Sequence, residues 1–216
     1  MSLGEIMRKR LQNGVSPKEK YGRSALIMET LLTITRIIVA LQMAVAVLQL
    51  HGTPWIGSDY GQDSVFFPTN VSTPDIPLFE PAYVSRTFIT ANATSASLPV
   101  ISEGRKLARN PLLYGLGVSL MELTYGQRLL ALALPDELDS DGNAIPTTEM
   151  LVAARLLGDI QNREHDRFAL AAASCVQCDL GYPFNYSLDD DKFRANFIER
   201  VITPLKEDYD AIAPGR

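Results

Sequence analysis

Two carboxylates that follow a long apolar segment are the first candidates for chemistry in this 216-residue chain. Asp59 and Asp63 stand four residues apart, and carboxylate oxygens are the ligands that Ca²⁺ and Mg²⁺ prefer. With His51 as a third candidate, one hypothesis is a divalent-ion-dependent enzyme that uses these side chains. The other interpretation, which these residue types favour, is a polar loop whose aspartates accept hydrogen bonds from the nearby backbone.

A second candidate is the pair Cys175 and Cys178, which has the C-x-x-C spacing of a zinc half-site or a redox pair. A zinc site needs two more ligands, but the sequence has no second C-x-x-C, and its only histidines, His51 and His165, are not spaced as a ligand pair. A thioredoxin-type pair needs a βαβ setting, which the sequence pattern does not predict. We therefore expect two core cysteines and no metal or cofactor site.

The composition narrows the function classes further. The chain is 46% hydrophobic and carries a net charge of −5, so it is able to bury a core and lacks the basic field of a nucleic-acid-binding domain. The sequence contains no G-x-S-x-G, H-E-x-x-H, G-x-x-x-x-G-K-[ST] or G-x-G-x-x-G motif. Residues 1–24 carry a net charge of +4 and the remainder −9, which predicts a basic N-terminal arm before a domain over 25–212.

The apolar run over residues 25–50 raises the question of a membrane span. Its longest stretch without charge, 37–50, has 14 residues, whereas a transmembrane helix needs about 20. Arg36 within the run would cost about 2.5–3.5 kcal/mol near the bilayer centre. Residues 1–10 also lack the apolar region of a signal peptide. We therefore predict a buried helix of a cytoplasmic protein, with peripheral membrane contact through residues 1–50 as the alternative.

The elements that must position these residues are mainly helical. Spacings of four and three residues predict one apolar stripe along the first helix, which Gly52 and Pro54 end. Ser16 and Glu19 predict a further helix start. Residues 51–104 predict a long irregular segment with one short strand near 64–67. The apolar stripe consists of Ile27, Leu31, Ile34, Ile38, Leu41, Val45 and Leu48.

The second half of the chain predicts further helices. Asn110 and Pro111 have the residue types of a cap and a first helical position, and Gly126 is a candidate end of that helix. A long helical pattern over 148–176 breaks near Gly158 or within 162–165, and residues 187–190 cap a last helix. The expected fold is therefore a mainly α helical bundle.

Two stretches resemble the C-terminal lobe of a protein kinase. Residues 24–52 resemble the helix before the kinase catalytic loop, and residues 57–67 align with that loop without gaps. In this alignment Asp59 takes the position of the catalytic aspartate and Ser64 that of the metal-binding asparagine. Residues 113–126 resemble the large central helix of the same lobe. More closely, the chain resembles a fungal domain of unknown function with a degenerate kinase-like lobe, through residues 48–55, 112–126, 175–178 and 193–205.

The departures from the kinase pattern imply that phosphotransfer is absent. Gly57 and Ser58 stand where kinases have His and Arg, no Asp-Phe-Gly or Ala-Pro-Glu occurs, and about 24 residues before the first helix are too few for an N-lobe. The resemblance implies a non-catalytic, pseudokinase-like module that contacts a partner protein, without cofactor, nucleic acid or small-molecule substrate. The candidate interaction surface, which the missing N-lobe leaves uncovered, consists of His51, Trp55, Asp59 and Asp63.

Overall fold

The computed structural model of the protein describes residues 2, 5, 23–57, 59–67, 69–70, 73–77, 83–85, 104–183 and 185–212. Within these ranges the chain is mainly helical, as the sequence predicts. The helices are α1 (Arg23–Leu50), α2 (Pro111–Tyr125), α3 (Thr148–Leu157), α4 (Asp166–Gln177), α5 (Asp191–Phe197) and α6 (Thr203–Ile212). The strands are β1 (Val65–Phe66), β2 (Thr69–Asn70), β3 (Thr73–Pro77) and β4 (Tyr83–Val84).

Helix α2 forms the centre of the core. All residues from Leu113 to Leu123 are buried, and α2 packs most extensively on α4 and also on α1. Both predicted caps are confirmed. The Asn110 side chain accepts a hydrogen bond from the Leu113 N–H at 2.9 Å, and Gly126 ends the helix with φ 70°. The long Leu-rich pattern therefore supplies the helix around which the other helices assemble.

Close helix packing explains the two glycines inside α2. A Cβ atom on Gly117 would lie 2.6 Å from the backbone nitrogen of Val176 in α4, and one on Gly115 would lie 2.5 Å from the carbonyl oxygen of Tyr60. Glycine lowers helix propensity by about 1 kcal/mol relative to alanine. In return, the backbone of α2 lies in direct contact with the backbone of α4 at one glycine and with the backbone of the loop at the other.

The predicted interruption of the 148–176 pattern is confirmed. Helix α3 ends at Gly158, a 3₁₀ turn follows at Ile160–Asn162, and α4 begins after His165. The predicted last helix is also present, with Asp190 as its N-cap. A π-helical turn at Ile198–Ile202 joins α5 to α6, and Pro204, the second residue of α6, has no N–H to continue the regular ladder. The buried apolar residues of this last segment are Phe193, Phe197, Val201 and Leu205.

The segment after α1 contains two short antiparallel ribbons where it is described. Strand β1, within the predicted 64–67, pairs with β4, and β2 pairs with β3. Ser2 bridges to Phe66, and Ser2 and Glu5 form a reciprocal capping pair, with the Ser2 N–H donating to Glu5 Oε2 at 2.7 Å. The predicted helix start at 16–19, the arm's basic residues at 8–20, and residues 78–82 and 86–103 lie outside the described residues.

Candidate interaction surface

The end of α1 is fixed by local hydrogen bonds. Gly52 adopts φ 73°, the left-handed conformation that ends helices, and Thr53 Oγ1 donates to the Leu50 carbonyl at 2.5 Å. His51 Nδ1 lies 2.7 Å from the Leu48 carbonyl, and its Nε2 lies 3.8 Å from Asp189 Oδ1. The predicted stop at residues 52–54 is confirmed, and His51 contacts the helix end on one side and residue 189 on the other.

A buried ion pair anchors the loop that follows. Arg105 donates to both carboxylate oxygens of Glu149, at 2.8 and 2.9 Å, and its third contact goes to the Tyr60 carbonyl at 3.1 Å. The Tyr60 hydroxyl donates to the Met43 carbonyl of α1 at 3.2 Å. Because Arg105, Glu149 and Tyr60 are all buried, these bonds hold the loop between α1 and α2.

The two aspartates of the sequence hypothesis lie on the surface of this loop. Asp59 is exposed, and Asp63 forms an ion pair with Arg128. Ser64 is half-buried, and its carbonyl accepts the Ser85 N–H at 2.9 Å, which extends the β1–β4 pairing. Among the residues described, no group of three His, Cys, Asp or Glu side chains is arranged to hold a metal ion. The described residues therefore provide no binding site for the divalent ion of that hypothesis.

The C-x-x-C pair lies in the core, as predicted. Cys175 is on the inner face of α4, and Cys178 ends that helix with φ 51°. Both thiols are free, and the Cys178 thiol donates to the Cys175 carbonyl at 3.5 Å. Burial raises the pKa of both thiols, so they are poor nucleophiles at neutral pH.

A buried carboxyl group lies on the same side of α2 as Gly115. Glu122 is 4% exposed and accepts a hydrogen bond from the Leu129 N–H at 3.1 Å. Burial raises the pKa of Glu122 to about 7, although this hydrogen bond and Arg128 act in the opposite direction. The side chain of Gln62 and the hydroxyl of Tyr114 are also buried. Glu122 ties the turn at Leu129–Leu132 to the centre of the core.

Helix α1 presents apolar residues on two sides. The fully buried residues are Ile37, Val39, Ala40, Met43, Ala44 and Val47. The predicted apolar stripe is only half-buried wherever its side chains are described, at Ile34, Ile38, Leu41, Val45 and Leu48. At about 100° of rotation per residue, the stripe points about 130° away from the buried side. Leu41 and Leu48 of the stripe still pack against the edge of the core, whereas Ile34, Ile38 and Val45 are half-buried without belonging to it. We call the side that carries the stripe the outer face of α1.

A groove lies between α1 and the β1–β4 ribbon, and Leu41 and Val45 are the two residues of the outer face that line it. Its cavity volume is about 660 Å³ and its walls are mostly apolar. Two large aromatic side chains in its lining are strongly exposed, Trp55 at 49% and Tyr83 at 56%. The helical lining residues are Leu41, Gln42, Met43, Val45, Ala46, Gln49 and Leu50, and the others are Trp55, Tyr60, Val65, Tyr83 and Val84.

Of the four residues predicted as the interaction surface, Trp55 lines this groove. His51 is half-buried at the helix end, and Asp59 and Asp63 lie on the loop that Tyr60 anchors. The Arg105–Glu149 pair is not predictable from the sequence, because no local pattern relates two residues that are 44 positions apart. Tyr83 is not predictable either, since its only signal is an aromatic residue type in a segment rich in Pro, Ser and Thr.

The comparisons with known proteins agree with one part of the sequence resemblance. A family model described as a domain of unknown function (DUF7580) matches residues 2–212. No curated protein and no solved structure matches the chain. Within the described residues, Thr33–Leu50 is the one helical window long and apolar enough to cross a membrane, with a mean hydropathy of 1.8 and a third of it buried inside the protein.

Proposed function

The chain belongs to this domain-of-unknown-function family, and we propose that it is a non-catalytic module that acts through protein–protein contact. The observation that carries the proposal is the outer face of α1. Half-buried apolar side chains line it, and exposed Trp55 and Tyr83 border it. Tyr and Trp are enriched among the residues that contribute most to protein–protein binding. Contiguous exposed apolar surface of this kind is typical of an interaction site.

We further propose that the domain is a degenerate kinase C-lobe from a fungal protein. The order of elements supports this proposal: a long helix, a loop carrying Asp59, short paired strands, and then the deeply buried helix α2. The proposal also accounts for an uncovered surface beside the loop, because that region faces the N-lobe in a complete kinase.

The absence of phosphotransfer is the first testable part of the proposal. Phosphoryl transfer needs metal ions and groups that hold the phosphates around the catalytic aspartate. Asp59 is exposed to solvent, and Asp63, the second carboxylate of this loop, forms an ion pair with Arg128. We expect purified protein incubated with Mg²⁺ and γ-labelled ATP to transfer no label to itself or to a generic protein substrate. Transfer that disappears in the Asp59→Asn variant would contradict the proposal.

The contact itself is testable by crosslinking from the groove. Gln49 is exposed and lines the groove, and both native thiols are buried, so a cysteine at position 49 accepts a benzophenone label selectively. We expect irradiation in an extract of the source organism to give a protein adduct at position 49. The matched control is Leu170→Cys, an exposed apolar position on α4, which should give none. Equal adduct yields at the two positions, or none at either, would refute a docking function for the groove.

Membrane contact is the second candidate, and the window Thr33–Leu50 favours it. The same side chains would then insert among lipid tails instead of against a protein. Co-sedimentation with vesicles of phosphatidylcholine and phosphatidylserine separates the candidates. Binding that Gln49→Glu weakens while Leu170→Glu does not would favour the membrane, because an added carboxylate resists insertion and is repelled by the anionic lipid. Protein contact predicts that the chain does not bind the vesicles.

A further inference from the structure

Glu137 connects three segments of the chain beside α3. Its Oε2 accepts hydrogen bonds from the Leu134 N–H at 2.8 Å and from Arg155 Nη2 at 2.9 Å. Its carbonyl oxygen accepts the Thr148 hydroxyl at 2.7 Å, and Thr148 Oγ1 in turn accepts the Ile145 N–H at 2.9 Å. The backbone at positions 134 and 145 is therefore held next to the same residue and the same helix.

Three large apolar side chains are exposed around this connection. Leu134 is 44% exposed, Ile145 37% and Leu151 45%. Leu151 lies four residues before Arg155, so it is on the side of α3 that Glu137 contacts. None of these three described side chains belongs to the hydrophobic core or to the groove beside α1. Single exposed apolar residues are common, whereas three of them around one residue indicate a contact site.

The charge of the same region is negative. Residues 129–154 contain five acidic residues and no Lys, Arg or His. Two of the carboxylates are buried and already have a cation, because Glu137 pairs with Arg155 and Glu149 pairs with Arg105. The three that form no ion pair within the described part of the chain are Asp136, Asp139 and Asp141. The region therefore carries negative charge that no neighbouring cation balances.

The sign of this charge restricts what the region can bind. A second copy that presents the same surface is repelled, since like charges face each other. Anionic lipid surfaces and nucleic acids are repelled for the same reason. A protein segment that carries Lys or Arg beside apolar side chains complements both the carboxylates and the exposed apolar residues.

We propose that this surface binds a basic, apolar segment of a partner protein. We call it the α3 surface, and it consists of Leu134, Asp136, Asp141, Ile145 and Leu151. The apolar residues receive the apolar side chains of the partner, and the two exposed aspartates attract its cations. This inference goes beyond the proposed function, because the α3 surface shares no residue with the groove beside α1.

Fluorescence anisotropy with a labelled model peptide tests the proposal on the purified full chain. The probe is an amphipathic peptide of about 18 leucine and lysine residues, which is five helical turns, and its counterpart has glutamate in place of lysine. We expect micromolar binding of the lysine peptide and no binding of the glutamate peptide. Asp136→Asn and Leu151→Ser should each raise the dissociation constant at least roughly threefold. Both side chains are exposed, so the variants should fold like the wild type, which circular dichroism checks.

The matched controls are Glu199→Gln and Leu170→Ser, which make equivalent changes at exposed positions elsewhere. Both should bind the lysine peptide like the wild type. Equal binding of the two peptides, or controls that weaken binding as much as Asp136→Asn and Leu151→Ser, would overturn the proposal, because the attraction would then not come from the α3 surface. The crosslinking variant at position 49 leaves this surface unchanged, so failure of the proposed function and failure of this inference are separate results.

Discussion

Replacing Gly117 by alanine is expected to destabilise the protein, although alanine is the better helix former. The added Cβ would lie 2.6 Å from the backbone nitrogen of Val176 and 2.9 Å from the Cβ of Cys175, whereas non-bonded carbon atoms prefer about 3.5–4.0 Å. Both neighbours belong to α4, which makes the most extensive contact with α2. The helices must therefore separate by up to about 1 Å, and no flexible side-chain tip is present to absorb the change.

The sign of the change in the free energy of unfolding depends on two opposing contributions, the cost of overpacking and the gain in helix propensity. Overpacking of a well-packed core costs about 1–3 kcal/mol or more, whereas the gain in helix propensity is about 1 kcal/mol. Because the contact at 2.6 Å is with a backbone atom, the cost of overpacking falls in the upper part of that range, about 2–3 kcal/mol. We therefore expect the free energy of unfolding to fall by about 1–2 kcal/mol, which lowers the midpoint of thermal unfolding by roughly 2–8 °C in a chain of this size. Urea unfolding followed by circular dichroism measures the first quantity directly.

The matched control is Gly158→Ala at the end of α3. There the nearest atom to an added Cβ is the Arg155 carbonyl oxygen at 3.6 Å, and φ is −64°, a value that alanine adopts freely. Removing glycine's freedom in the unfolded chain should stabilise the protein by about 0.4–1 kcal/mol. If Gly117→Ala proves as stable as the wild type or more stable, the close approach of α2 and α4 described above is wrong.

Variants at two further positions test the polar contacts of α2 and of its N-cap. Burial raises the pKa of Glu122 to about 7 from its ordinary 4.5, so the folded protein keeps a proton that the unfolded chain releases, and the free energy of unfolding should fall by up to about 3 kcal/mol as pH rises from 4.5 through 7. Glu122→Gln keeps an acceptor for the Leu129 N–H and should remove this contribution, so equal wild-type and variant slopes between pH 5.5 and 8 would count against it. Asn110→Ala should cost about 1–2 kcal/mol, because the side chain caps Leu113 at 2.9 Å and donates to the Tyr186 carbonyl at 2.6 Å. Asn110→Asp, which keeps only the cap, should lie between wild type and alanine in urea unfolding.

Local signals explain which parts of the fold the sequence predicts. The ends of α2 are determined by residues within one helical turn, Asn110 and Gly126, and the residue types alone predict both. The interruption between α3 and α4 and the cap at Asp190 have the same local origin. The glycines of α2 also predicted close packing, because a helix retains such residues only where another element needs the space.

The orientation of α1 could not be predicted in the same way. The helix is apolar on several sides, so periodicity identifies a stripe without telling which side the core will take. The core takes the side with the small residues Ala40 and Ala44, which allow other helices to approach closely, and leaves the stripe half-buried. The wall of the candidate groove that α1 forms depends on this orientation of the helix. The opposite wall depends on the β1–β4 pairing, which is a contact between distant segments.

The rate of thiol labelling at position 49 tests the central claim most directly. Gln49 is exposed in the groove and Leu170 is exposed on α4, so Gln49→Cys and Leu170→Cys should react equally fast with a maleimide in dilute protein. In an extract of the source organism, we expect labelling at position 49 to slow at least roughly tenfold relative to labelling at position 170 in the same extract, because a bound partner protects the groove. Equal rates at both positions, in buffer and in the extract, would contradict the claim that protein covers the groove beside the outer face of α1.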